Sequence, residues 1–366
     1  MSRNMRDLSF ATFNLLNLQR PGGLTYGGAP PFPDTAEGRA AYGRKVAWCA
    51  GMVRRLDADA IGFQELWSAR ALAEVFEAAG LAEGYDLVAR DAPGRGRPQV
   101  ALAVRRDRRG QPRLAPGAEW IESFPPTFRL AGLRETQGAE ETVTVTIDAF
   151  SRPVLRATIR PEGRGPRPPE VALFVAHLKS KGPARLARDD SPEALERHPR
   201  IVTAAVSHIR RVAEAGALRV LLDEAMRSED EDALSPTVVL GDLNDGAASV
   251  TTEMITDRPR YRVVEKSRVG ERSDRGLYAV ERLQQLRSLR DVYYTYVFEE
   301  KRESLDHILV SEEFYDHARK RCWSFREMEV WNDHLNREAF EAEGTSDHGI
   351  VRAAFDWNPM PAMAEE

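Results

Sequence analysis

An α/β architecture is what this chain predicts, and three observations carry that prediction. Short apolar runs recur along it, among them Ala60-Ile-Gly-Phe63, Val171-Ala-Leu-Phe-Val-Ala176 and Val238-Val-Leu240, each reading as a strand buried on both faces. Between the first strands, Val46, Cys49, Val53 and Leu56 recur at helical spacing, so the chain opens strand, helix, strand. No repeat, long linker or compositional break interrupts it. Residues 1–366 are therefore expected to form one domain, with loop insertions near 20–40, 106–140 and 223–235.

In chain order, residues 8–17 alternate as a first strand and the Pro/Gly-rich stretch 20–40 is a loop. A helix is expected over 43–56, closed by Asp57-Ala-Asp59, then a strand over 60–63 and a helix over 69–79 closed by Gly80. Strands follow at 85–90 and 99–105, and eight arginines lie between Arg90 and Arg113. Residues 142–148 alternate Val and Thr as a strand, with 150–159 as its partner across a tight connection. After the strand 171–176, a helix runs from 192 to 217 or on to about 227, and 228–232 is an acidic, solvated loop. Helices near 247–256 and 277–287 precede a strand-rich end at 292–298, 304–310, 322–330 and 349–355.

Apolar content of 42% with 30% charged residues is that of an ordinary globular protein. No run reaches the roughly 18 apolar residues that span a bilayer. The N-terminus shows no apolar secretion segment, so a cytoplasmic location is expected, with export left open. Two cysteines, Cys49 and Cys322, both in apolar patterns, read as buried thiols. A net charge of −5 leaves any nucleic-acid binding to local patches.

The chemistry gathers where strands end. Thr237-Val-Val-Leu-Gly-Asp-Leu-Asn-Asp245 is a buried strand broken at Gly241, delivering Asp242 and Asn244 just outside the core on one side of the chain. Taken alone, that motif is equally an Asx turn capping the next helix. However, Asn14, Glu65, His177, Asp306 and Asp347-His348 occupy comparable positions. Acids and imidazoles beside a core are costly unless paired or ligated, so their joint occurrence points to a site. Magnesium takes oxygen ligands, which suits Glu65 with Asn14 and Asp347. Asp242 suits activation of water; His177, Asn244 and Arg152 suit donation to phosphate oxygens; Asp306 can orient His348 as acid or base.

The ordered set Phe13-Asn14, Gln64-Glu65, Phe150-Ser-Arg152, Ala176-His177, Gly241-Asp-Leu-Asn244, Ser304-Leu-Asp306 and Ser346-Asp-His348 resembles the endonuclease/exonuclease/phosphatase superfamily, which includes deoxyribonuclease I-like enzymes. Within it, His177-Leu-Lys-Ser-Lys-Gly182 and Tyr294-Thr-Tyr-Val-Phe298 are most similar to bacterial nucleases of that group. The resemblance implies a four-layer α/β/β/α sandwich of two mixed sheets flanked by helices. It implies Mg²⁺ (or Mn²⁺ or Ca²⁺) at Glu65, water activation by Asp242, a His348–Asp306 pair, and phosphate contacts from His177, Asn244 and Arg152. The expected activity is metal-dependent phosphodiester hydrolysis of nucleic acid, DNA ahead of RNA. The alternative is a lipid or small phosphoester, for which Phe124-Pro-Pro-Thr-Phe128 would be an exposed aromatic loop. A non-catalytic module on this fold would lose ligand positions that are all filled here. The secretion signal expected of that nuclease group is absent, and the acidic insertion at 223–235 has no counterpart.

Other residues stay outside this set. His307 follows Asp306 in a strand and should face away, and His198, His208, His317 and His334 read as surface or capping residues. Lys179 and Lys181 are either phosphate contacts or a solvated basic turn. The arginines of 90–113 are either a nucleic-acid rim or exposed hairpin charges. Tyr293, Tyr294, Tyr296 and Phe298 read as sheet core.

Overall fold

The computed structural model describes residues 6–93, 96–134, 142–163, 168–184, 197–228, 230, 233–264, 266–269, 274–288, 293–336 and 343–360. Its elements begin with strand β1 (Leu8–Leu18), helix α1 (Ala36–Leu56), β2 (Ala60–Leu66), α2 (Ala69–Ala79), β3 (Tyr85–Val88) and β4 (Gln99–Arg105). Next come β5 (Glu119–Ser123), β6 (Leu130–Arg134), β7 (Thr142–Val145), β8 (Ala149–Ile159) and β9 (Val171–His177). Helix α3 (Pro199–Ala225) leads to β10 (Thr237–Asp242), α4 (Val250–Thr256), β11 (Tyr278–Ala279) and α5 (Val280–Arg287). The last are β12 (Tyr296–Phe298), β13 (Lys301–Glu303), β14 (Asp306–Val310), β15 (Trp323–Trp331) and β16 (Ile350–Trp357).

Two six-stranded mixed sheets result, ordered β15-β16-β1-β2-β4-β3 and β11-β14-β10-β9-β8-β5. Each is built on one parallel pair, β1 with β2 and β10 with β9, flanked by antiparallel strands. Alternation along the strands divides the core. Phe10, Leu102, Leu173, Val238, Leu240 and Ile308 pack between the sheets. Ala11, Phe13, Ile61 and Phe63 pack against α1 and α2, while Phe174, Ala176 and Val239 pack with Leu218 and Leu222 of α3. Three apolar layers between four layers of structure make the α/β/β/α sandwich. Gly62 lets the sheets approach: a Cβ there would lie 2.9 Å from Leu240 Cβ.

Several elements differ from expectation for identifiable reasons. Helix α1 begins seven residues early (36 against 43), because Thr35 caps it by accepting from Gly38 N at 3.1 Å. It ends as expected at Asp57, in left-handed geometry with φ 42°. Strand β7 pairs with β6, whereas β8 pairs with β5 and β9, so 142–148 and 150–159 are not partners. The expected start of the helix at 192 lies outside the described residues; α3 is helical from Pro199 to Ala225. The short strands β5, β6 and β13 carry too little apolar pattern to be seen in sequence. Gly241 does not break β10: it stays in register with Ala176 and His307, and a Cβ there would meet Ala176 O. Among the described residues no helix is long and apolar enough to cross a membrane.

Candidate active site

Strand register assembles the centre. Asp242, the last residue of β10, pairs directly with His177 of β9 on one side and Asp306 of β14 on the other. From the facing sheet, Asn14 of β1 reaches across, its Nδ2 donating to Asp242 Oδ2 at 3.2 Å. His348, just before β16, completes the group: its Nδ1 is 2.8 Å from Asp306 Oδ2 and its Nε2 3.8 Å from Asp242 Oδ2. His177 Nε2 lies 3.4 Å from the same Asp242 oxygen. All five are buried.

Backbone strain falls here as well as at Asp57, Asp257, Arg258, Glu299 and Glu300. Leu16 (φ 46°), Asn17 (φ 55°), Glu65 (φ 59°) and Asn244 (φ 55°) all adopt left-handed geometry that non-glycine residues avoid. Strict alternation would place Glu65 on the helix-facing side with Ile61 and Phe63. The left-handed turn and the register shifts in β1 and β2 break that alternation, and Glu65 Oε2 accepts from Asn17 N at 3.1 Å. Asn244 is likewise not in extended register with Asp242: its N–H donates to Asp242 Oδ1 at 2.9 Å, an Asx turn. The Asx turn is therefore present, but it does not cap the next helix, whose N-cap is Ser249 accepting from Thr252 N.

Electrostatics separate the groups. Burial first, and then the charge of Asp306, push the Asp242 carboxyl up to about 7, against the opposing pull of His348. Burial disfavours charge on His348, but Asp306 and Asp242 outweigh it and hold its pKa well above the ordinary value. His177 is held well below, by burial and by the charge of Arg152, so its imidazole is neutral at pH 7. Its Nδ1 is buried with no hydrogen-bond partner.

Two sets of atoms could hold a cation. Glu65 is pushed up by burial and then by the charge of Asp347, and Asp347 Oδ1 is buried without a hydrogen-bond partner. Two oxygen ligands in need of positive charge fit a hard divalent ion. Asn14 fits less directly, since Nδ2 is given to Asp242 and Oδ1 accepts from Leu16 N at 3.0 Å. One ligand atom each of Asp242, Asp306 and His348 also lie within 4.8 Å of one another. That second set would need His348 in its neutral form, because an imidazolium has no lone pair to offer.

Arg152 and Asn244 are both near the site, yet both donate to the same carbonyl, Leu178 O, at 3.0 Å. Arg152 Nη2 also reaches Tyr26 Oη at 3.2 Å. Several supporting residues were not anticipated. Glu214 of α3 accepts from Ser151 N at 2.8 Å and Lys179 N at 2.7 Å, holding the two segments that carry Arg152 and His177. Lys45 of α1 donates to Thr345 O at 2.6 Å, beside Asp347. Lys45 was detectable as a polar residue inside an apolar helical stripe with Cys49, Met52 and Leu56, whereas Glu214 shares its stripe with Ser207 and Arg211 and does not stand out. Tyr26 left no such signal, because it acts from a loop, whereas Asn17 was legible with Asn14 as a polar residue at the exit of the first strand.

The remaining candidates are placed plainly. His307 bonds Asp245 O at 2.7 Å, away from the centre. His334 is buried instead of exposed and bonds His348 O at 2.8 Å. Lys179 turns into its own loop, on Ser180 and Gly182, and Lys181 pairs with Glu303 at 2.6 Å. Arg90, Arg105, Arg106 and Arg113 pair with Glu122, Asp57, Asp86 and Asp59, which works against a free basic rim. Phe124 is buried and Phe128 packs on it with ring centres 5.9 Å apart, so no exposed aromatic loop exists there. Tyr296 and Phe298 are not core: Phe298 is 57% exposed, and Tyr296 lies 5.0 Å from the His348 ring.

Comparison with known proteins agrees with this fold. No curated protein matches the chain. Among solved structures, ANGEL2, described as a 2′,3′-cyclic phosphatase, is 13% identical over 96% of each chain with a TM-score of 0.52. TDP2 from Caenorhabditis elegans is 14% identical with a TM-score of 0.50, over 97% of this chain and 77% of that one. At such identities the likeness speaks for the fold alone. The family model described as "Endonuclease/Exonuclease/phosphatase family" matches residues 11–348, from β1 to His348, and so the chain belongs to that family of phosphoesterases.

Proposed function

We propose that the protein is a divalent-metal-dependent phosphodiesterase that hydrolyses nucleic acid, DNA ahead of RNA, through attack of water on phosphorus. The observation that carries the reading is Asp242. Its carboxyl is raised to about 7 and stands within 4 Å of both His177 and the Asp306-oriented His348. A base whose pKa lies near the working pH combines a populated carboxylate with useful basicity. As a water oxygen bonds to phosphorus, Asp242 takes its proton. As the bond from phosphorus to the leaving oxygen breaks, His348, protonated and fixed by Asp306, gives that oxygen a proton, and neutral His177 acts as a hydrogen-bond donor to the phosphoryl group. Glu65 and Asp347, with Asn14 alongside, would hold Mg²⁺. When bound, such an ion supplies Lewis-acid charge to a phosphoryl oxygen.

A second reading, a small phosphoester as substrate, is favoured by the neutralised arginines and the net charge of −5. A lipid version loses support with the burial of Phe124. Incubation with supercoiled plasmid in Mg²⁺, in EDTA, and with Asp242→Ala decides between them. Metal-dependent nicking that vanishes in the variant supports an endonucleolytic nuclease, since a closed circle offers no ends. An intact plasmid, with linear DNA, single strands and RNA also intact, overturns the nucleic-acid reading and leaves the small-phosphoester one.

A further inference from the structure

We infer that Tyr26, from the loop after β1, is a further catalytic residue whose phenol O–H donates a hydrogen bond to the substrate phosphoryl group; this rests on the phosphoesterase reading of the site.

The donors expected to face phosphate are partly engaged elsewhere. Asn244 Nδ2 and Arg152 Nη1 both donate to Leu178 O at 3.0 Å, and Arg152 Nη2 donates to Tyr26 Oη at 3.2 Å. A phenol that accepts from a guanidinium keeps its own O–H to give, and the neighbouring cation polarises that O–H. Tyr26 thus stands at the open end of a chain of hydrogen bonds from Leu178 O through Arg152. Arg152 is 9% exposed, whereas the Tyr26 residue as a whole is 38% exposed.

The loop is built to hold it. Gly22 (φ 77°) bonds Phe32 O through its N–H at 2.8 Å, and both N–H and O–H of Thr25 bond Ala29 O at 3.0 Å. The Tyr26 ring stands edge-on to Trp67 with centres 5.0 Å apart, and Trp67 is fixed by donating to Asn17 Oδ1 at 2.9 Å. Asn17 in turn binds Glu65, so one continuous network joins the carboxylate side of the site to its guanidinium side. Burial foremost, with Glu65 and Asp242 adding to it against the pull of Arg152, keeps the phenol pKa above its ordinary value, so the hydroxyl stays protonated. A neutral donor adds no like charge beside Arg152 and no anion beside the carboxylates.

The test is hydrolysis of bis(4-nitrophenyl) phosphate in Mg²⁺ by wild type, Tyr26→Phe, Arg152→Lys and the double variant. Phenylalanine keeps the ring on Trp67 and removes only the hydroxyl. The expected result is a kcat lowered about tenfold or more with KM little changed, the loss expected of one hydrogen bond to developing charge. Lysine at 152 cannot hold Leu178 O and Tyr26 together, so a donor acting directly should still cost about tenfold when removed in that background. A cost confined to the Arg152 background would overturn the inference and make Tyr26 a positioning residue. An unchanged kcat in Tyr26→Phe overturns it outright. A wild type inert toward this diester and toward nucleic acid overturns the underlying phosphoesterase reading instead.

Discussion

At the scale of the residue, the informative fact is that neighbouring acids and imidazoles are driven to different protonation states. Asp242 is raised to about 7, His348 is held cationic, and His177 is held neutral, all within one buried cluster. For a base with a raised pKa the active carboxylate appears as pH rises through about 7 and is lost as pH falls through it. The log of kcat/KM should therefore climb with unit slope below about 7 and level off above, until His348 loses its proton at higher pH. A pH–rate profile flat from about pH 5 to about pH 8 would remove Asp242 from the role of base. Asp242→Asn keeps the shape and the Asx turn but cannot take a proton. It should lower kcat by about 10²–10⁴-fold, as loss of a general base does, with the low-pH limb gone.

Elements carry the second set of consequences. Helix α3 reaches the site through Glu214, a carboxylate buried under two backbone N–H donors, one from Ser151 and one from Lys179. Glu214→Gln turns one acceptor into an amide N–H facing an N–H. This should cost about 1–3 kcal/mol in urea unfolding and lower activity through displaced Arg152 and His177. A variant as stable and as active as wild type would show that α3 merely packs there. Between the sheets, Gly62→Ala places a Cβ 2.9 Å from Leu240 Cβ and 3.1 Å from Val175 Cγ1. The strands must part, and a loss of about 1–3 kcal/mol is expected by denaturant titration. Helical spacing sets Lys45 apart as a polar residue within an apolar face, but its partner Thr345 O, and Glu214 on a stripe shared with Ser207 and Arg211, have no such mark.

Over the whole molecule, the two sheets meet with the polar ends of their strands together, and burial first, then neighbouring acids, raise the carboxyls of Glu65 and Asp242 there. A cation bound to Glu65 and Asp347 stabilises the folded state by mass action, about 2.7 kcal/mol at a hundredfold excess over Kd. Thermal melting should therefore rise with Mg²⁺ and fall back in EDTA, and Glu65→Gln should lose most of that response. Equal metal-induced shifts in wild type and Glu65→Gln would move the ion elsewhere, with the Asp242–Asp306–His348 atoms as the next place to look. Surface charge acts at this scale too. With Arg105, Arg106 and Arg113 paired, salt should weaken plasmid binding only gently, and a steep salt slope would locate a basic surface outside those pairs.

Sequence by itself determined the α/β class, the buried strands, and the order of polar residues that follow them, because strand burial and helical spacing are local patterns. Asn14, Glu65, His177, Asp242, Asp306 and His348 were all readable in that way. Tertiary structure alone decided which of them touch. The registers that set His177 and Asp306 beside Asp242, and the reach of Asn14 across to the other sheet, depend on contacts between residues far apart in the chain. It also decided the left-handed turns at Leu16, Asn17, Glu65 and Asn244, the service of Arg152 and Asn244 to one carbonyl, and the approach of Tyr26. Such features have no local signature, since their cost is offset only by packing that forms after the strands have paired.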